Sequence, residues 1–160
     1  MTKTLMALAL LPFMAATSVL AQEAPTGDAA AGANVFKKCA SCHTITDADG
    51  KVLGGRGAKV GPNLYGMPGR LAGTYEGFTY GASMKALGET GFVWTEADLV
   101  SYVSDPTGFL KDKLGDTSAR GKMMFKLAKE QDAHDVWAYI LSLSPAMAAP
   151  AADAAATTTP

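Results

Sequence analysis

The chain is poor in cysteine, in net charge and in strand pattern. Two cysteines in 160 residues are too few for a disulfide-stapled scaffold or for an all-thiolate zinc site. Whatever the cysteines do is therefore local. Fourteen Lys and Arg stand against fifteen Asp and Glu, a formal charge of −1, which excludes a strongly basic nucleic-acid binder. No repeat at a fixed period and no sustained apolar–polar alternation is present, so neither a solenoid nor a strand-rich fold is expected. What is abundant is apolar side chains. At 48% hydrophobic, the chain is too apolar for disorder.

The two ends read differently from the middle. Lys3 precedes an apolar run from Leu5 to Ala16, and Val19-Leu20-Ala21 suits a signal peptidase. The run falls short of the about 20 residues of a membrane span. Residues 1–21 are thus expected to be a cleaved signal peptide, which places the mature protein in an oxidising compartment, the bacterial periplasm. Residues 22–27 form a short leader. Residues 145–160 are mostly Ala, Pro and Thr and read as a disordered tail. That leaves 28–144 as one folded domain.

The domain reads as mostly α, built of short helices and long glycine-rich loops. Asp28 can cap a first helix running to about Lys38, with Gly32 and Phe36 on one face. A glycine there suggests close approach by another helix. Thr95-Glu96-Ala97-Asp98 resembles a capping box. It opens a helix that turns Leu99, Tyr102 and Val103 inward and is closed by Pro106. Weaker helical pieces cover Ala82–Leu87 and Thr107–Leu114. The last helix is expected over Asp132–Leu143, capped by Asp132, ended by Pro145, with Val136, Trp137, Ile140 and Leu141 as its apolar stripe. Between Gly50 and Gly91 no strand is expected. So few short helices leave the centre short of packing, and something else is needed to fill it.

Cys39-Ala40-Ser41-Cys42-His43 supplies the filling. Cys-x-x-Cys-His is the attachment signature of c-type haem. Two thiols at this spacing can add to the two vinyl groups of one porphyrin, and the adjacent imidazole can bind its iron. Three other readings compete. A thioredoxin-like dithiol would want a strand before the motif, where a helix is expected. A zinc site would need a fourth ligand, and His134 is the only other histidine. A plain disulfide remains chemically available. A sixth iron ligand could be a thioether, which is soft and raises the potential. Met123 and Met124 are adjacent, so only one can serve. Met67 and Met84 read as core filler or as exposed.

From Asp28 to Ser144 the chain resembles class I cytochrome c, especially the bacterial cytochrome c2 and c550 type. The resemblance rests on several segments in order. Cys39-Ala-Ser-Cys42-His43 is similar to the family's haem site, implying one covalently attached haem c on Cys39 and Cys42, with His43 on the iron. Gly61-Pro62-Asn63-Leu64-Tyr65-Gly66 resembles the loop in which a proline carbonyl, here Pro62, takes a bond from the ligand histidine. Gly69-Arg70 and Gly77-Phe78-Thr79-Tyr80 are similar to the stretch that holds a haem propionate, which implies that role for Arg70 and Tyr80. Trp94 resembles the buried tryptophan that also bonds a propionate, and Tyr102 the tyrosine beside the methionine sulfur. Gly121-Lys122-Met123-Met124-Phe125 resembles the ligand loop and selects Met123. Two departures stand out. Gly121 replaces a frequent hydroxyl residue, and Met84 replaces a usual asparagine.

The resemblance implies a periplasmic electron carrier rather than an enzyme. An iron closed by His43 and Met123 would leave no site for substrate. The implied donor is a cytochrome bc1-type complex, and the acceptor a cytochrome oxidase or a photosynthetic reaction centre. No nucleic acid or stable membrane insertion is implied, and the carrier would be a monomer. Lys37 and Lys38 precede the haem cysteines, while Lys111, Lys113, Arg120, Lys122, Lys126 and Lys129 crowd the methionine side. A near-neutral protein can thus be dipolar, and these bases are the expected docking surface.

Overall fold

The structure is a computed structural model and describes residues 24–144. The signal peptide read at 1–21, the first two leader residues, Pro145 and the tail read at 145–160 lie outside the described residues.

Helix α1 (Ala29–Phe36) begins as expected. Asp28 is extended, and its carboxylate accepts from the amides of Ala30 and Ala31 at 2.7 and 2.9 Å, satisfying two donors that the first turn leaves open. The helix stops two residues short of Lys38. Turns continue through the cysteine motif, where Cys39 O accepts from both Cys42 N and His43 N at 3.0 and 2.9 Å.

The expected absence of strands is corrected by a short hairpin. Strand β1 (Thr44–Thr46) pairs antiparallel with β2 (Val52–Gly55), setting Thr44 opposite Gly55 and Ile45 opposite Gly54, with an irregularity after Ile45. Three or four residues, two of them glycine in β2, are too few to show a period of two. The stretch Thr44–Lys59 is therefore mainly this hairpin. Leu71 and Val93 form an isolated bridge.

Helix α2 (Ala82–Glu89) is followed by α3 (Glu96–Ser104), α4 (Pro106–Leu114) and α5 (Glu130–Leu143). At α3, Thr95 Oγ1 accepts from Asp98 N at 3.2 Å and donates to the Asp98 carboxylate at 2.6 Å. Half of the capping box forms as expected. Pro106 ends α3 and opens α4, a position where its missing N–H costs nothing. Gly115, at φ +63, ends α4 in the left-handed conformation.

Asp132 is not the cap of α5, which starts at Glu130 from an uncapped Lys129. Asp132 lies instead in the first turn, where a negative charge suits the helix dipole, and pairs with Lys38 at 2.9 Å. Val136, Trp137 and Ile140 bury the expected stripe, and Leu141 is half-buried.

Helix α1 packs chiefly against α5, and α3 against both α4 and α5. Phe36, Ile45, Leu87, Leu110 and Ile140 are completely buried, each contributing about 1.5–3 kcal/mol. Part of this core is aromatic. Trp94 lies parallel to Phe109 at 6.0 Å, and Tyr102 and Phe92 meet Trp94 edge-on at 5.2 and 5.5 Å. Both groups belong to one contiguous core.

Candidate functional site

Against this core lies a cavity of about 700 Å³, a size typical of cofactor pockets. Cys39, Cys42, His43, Pro62, Arg70, Tyr80, Trp94, Tyr102 and Met123 all line it. Chain segments far apart in sequence thus bring every residue that the resemblance places at the haem to one space.

His43 sits between the turn that closes the cysteine motif and the first residue of β1. Its Nδ1 lies 2.9 Å from Pro62 O. A carbonyl can only accept, so Nδ1 carries the hydrogen and Nε2 keeps its lone pair for a metal. Burial lowers the imidazole pKa below its ordinary value, with the Pro62 bond opposing, so the ring is neutral at pH 7. The loop lies flat against the ring because residue 61 is glycine. A Cβ there would stand 2.7 Å from His43 Nδ1 and 2.8 Å from Nε2.

Cys39 and Cys42 are free thiols. Burial pushes the Cys39 pKa up to about 11, so the thiol stays protonated at neutral pH. The hairpin after the motif and the free thiols in one wall fit haem attachment. A zinc site gains no support: among the described residues no group of three His, Cys, Asp or Glu side chains is placed to hold a metal ion.

Arg70 is half-buried in the cavity wall. Nη1 and Nη2 donate to Tyr65 O and Asn63 O, both at 3.1 Å, and the guanidinium lies 5.1 Å from the centre of the Tyr75 ring. Burial lowers its pKa, yet no acid pairs with it among the described residues. A cation so placed suits an anionic group in the cavity. Burial raises the Tyr80 pKa, and pushes that of Tyr102 up to about 12, so both phenols remain donors at neutral pH. Trp94 is only 8% exposed. These residues fit a haem with two carboxylate arms.

The two adjacent methionines are set apart by exposure. Met123 is half-buried on the lining, whereas Met124 is 85% exposed at its mouth. Met67 and Met84 are both buried and also line the cavity. Gly121, the departure from the expected hydroxyl, donates its amide to Thr107 Oγ1 at 3.2 Å; Thr107 does not line the cavity.

The lysines divide by partner. Lys38 pairs with Asp132, Lys113 with Asp98 and Lys126 with Asp105, at 2.8–2.9 Å. Lys122 donates to Thr79 O at 2.9 Å and Lys37 to Asn34, and neither pairs with an acid among the described residues. Lys38, Lys59, Arg120 and Lys122 border the cavity beside exposed Val60, Met124 and Phe125. Asn63 and Lys59 were not singled out in the sequence. Asn63 adjoins Pro62 in a loop whose interest lay in the proline.

Comparison with known proteins agrees with this geometry. The family model for cytochrome c matches residues 29–144. The cytochrome c2 of Fuscovulum blasticum is 58% identical over 128 residues, covering 80% of this chain and 81% of that protein. The cytochrome c-550 of Paracoccus pantotrophus is 48% identical over 134 residues, covering 81% and 98%. Among solved structures, cytochrome c2 from Rhodobacter sphaeroides superposes with a TM-score of 0.71 at 53% identity, covering 72% of this chain and 95% of that one.

Proposed function

The chain belongs to the cytochrome c family, and from that premise we propose that it is a periplasmic one-electron shuttle whose haem iron is held by His43 and Met123. The family and its c2 and c-550 relatives make it an electron carrier with covalently bound haem c. The ligand pair, the compartment and the partners are the further step.

One observation carries the reading. A neutral imidazole with a free Nε2, a half-buried thioether and two free thiols face one cavity. When bound, the haem supplies a ferric/ferrous couple. The side chains do the rest. Cys39 and Cys42 anchor the group, and His43, oriented by Pro62 O, offers nitrogen. Met123 offers sulfur, which favours the ferrous form and a high potential. Arg70, Tyr80 and Trp94 take the propionates, and Tyr102 stands beside the sulfur. With His43 and Met123 both holding the iron, no place would be left for substrate, and the protein would transfer electrons without chemistry of its own. Docking uses the lysine border of the cavity. The donor is a cytochrome bc1-type complex and the acceptor an oxidase or a photosynthetic reaction centre, met by a monomer. Among the described residues no helix is long and apolar enough to cross a membrane.

The test is the visible spectrum of the oxidised protein, extended into the far red, where an iron–sulfur charge-transfer band reports methionine ligation. The band is expected, and it is expected to vanish in Met123→Ala but persist in Met124→Ala. Haem without the band, or ready binding of carbon monoxide by the reduced protein, would overturn the closed-iron reading in favour of an enzyme or a sensor.

A further inference from the structure

Asn63 makes more hydrogen bonds than any role given to the loop so far requires. Its Oδ1 accepts from Thr46 N and from Tyr65 N, each at 3.0 Å. Its Nδ2 donates to Thr46 O at 2.6 Å and to the Tyr75 hydroxyl at 3.3 Å. Two acceptances and two donations use the full capacity of a carboxamide. The pair of bonds to Thr46 mimics the next rung of a sheet, so the side chain extends β1 by one partner. Its own carbonyl is taken by Arg70 Nη2 at 3.1 Å.

The consequence falls on the preceding residue. Pro62 has no N–H and cannot anchor itself. Its carbonyl is placed by its neighbours: Gly61 N bonds Cys42 O at 2.7 Å, Leu64 N bonds Thr44 O at 2.9 Å, and the Asn63 clamp on Thr46 lies between. These bonds tie the loop to the strand that begins one residue after His43. Loop and imidazole are therefore held against a common reference, and the Nδ1–H to Pro62 O distance is set by that tie.

We propose that Asn63 is a positioning residue for the axial imidazole, holding the Pro62 carbonyl against His43 Nδ1–H through its clamp on Thr46 and so setting the reduction potential. The inference rests on the reading of His43 as iron ligand. A fixed acceptor makes an imidazole a stronger donor to its metal, and stronger donation favours the ferric form. Loosening the clamp weakens that donation, so the potential rises.

The experiment compares haem-loaded wild type with Asn63→Ala, with Asn63→Gln as a milder lesion and Asp28→Ala as a control that loosens α1 far from the loop. Two quantities are read: the midpoint potential, and the exchange rate of the His43 Nδ1 proton by NMR of the reduced protein. Losing a bond worth about 1 kcal/mol predicts roughly fivefold faster exchange in Asn63→Ala, with a higher potential, a smaller change of the same sign in Asn63→Gln, and neither change in Asp28→Ala. Asn63 variants that lose thermal stability but keep both quantities would show a merely structural residue and overturn the proposal. So would equal changes in Asp28→Ala. The ligand reading is checked separately in wild type: His43 ring protons without the large upfield shift of an iron-bound imidazole would sink that reading and this inference with it.

Discussion

Gly32 of α1 lies beneath the main chain of Asp135 in α5, so close that a methyl group on it would stand 2.5 Å from the Asp135 carbonyl carbon and 2.8 Å from Tyr139 Cβ. The two helices are locked there from both sides, because Asp135 Oδ1 also accepts from Asp28 N at 2.8 Å. In an exposed helix, Gly→Ala stabilises by about 1 kcal/mol. Here the added carbon meets backbone, which cannot swing aside. Gly32→Ala is expected to lose about 3 kcal/mol instead, read as a lower urea midpoint at unchanged slope. A gain in stability would mean that the helices are not in contact at this point.

A second glycine governs the haem side. Gly61→Ala puts a carbon on the His43 ring, and either the ring turns or the loop retreats. Both break the bond to Pro62 O. The variant is expected to lose about 2 kcal/mol and to accumulate less haem-loaded protein. At Gly81 the nearest atom to an added carbon is Lys122 Cγ at 3.3 Å, the stem of a flexible side chain. Gly81→Ala should cost less than about 1 kcal/mol with normal haem content. The haem absorbance per mole of purified protein checks both.

The part of this site that was legible in the sequence is the part carried by local chemistry. Asp28 and Thr95 announced their caps, because a short polar side chain bonds amides two or three residues on. Gly32 announced a close helix contact, since nothing else favours glycine on an apolar face. The haem motif is contiguous and was legible outright. Two kinds of feature were not. The β1–β2 hairpin is shorter than the window in which alternation shows, and it proved to be what fixes the loop carrying Pro62. The second kind is pairing at a distance: Lys38 finds Asp132 across ninety-four positions, and that attraction, rather than capping, accounts for Asp132. Asn63 belongs to both kinds, since its clamp depends on the hairpin.

Glu96 ties the start of the domain to α3 and α5. Its carboxylate accepts from Thr26 Oγ1 at 2.6 Å and from Thr26 N at 3.2 Å, and lies 2.7 Å from His134 Nδ1, while His134 Nε2 faces Glu130 at 3.8 Å. Burial alone raises the Glu96 pKa, but the bonds from Thr26 and His134 outweigh it and leave the carboxyl below its usual range. A carboxylate whose folded pKa is depressed stabilises fully above its unfolded pKa and loses that contribution as pH falls through the folded one. Glu96→Gln is therefore expected to cost about 1 kcal/mol at pH 7 and progressively less below the ordinary carboxylate range. Denaturation of wild type and variant across acid pH measures the gap. A gap that widens on acidification would show that Glu96 acts through something other than its charge.

The lysines that flank the methionine loop make the last prediction, because their charges are not equivalent. Lys126 is paired with Asp105 at 2.9 Å, so a partner at a distance meets a near-neutral doublet. Lys122 bonds only the neutral Thr79 carbonyl and keeps its field. At 0.1 M salt, fields reach about 10 Å, so encounter is steered mainly by unpaired charge. Lys122→Ala should therefore slow reduction by a bc1-type complex at low ionic strength severalfold more than Lys126→Ala, with the two converging as salt rises. Stopped-flow rates over a salt series make the comparison. Removing Asp105 instead should speed encounter, since it releases the Lys126 charge. Rates that stay flat with salt in all three variants would mean that docking rests on the exposed apolar residues beside the cavity, Val60, Met124 and Phe125, and not on charge.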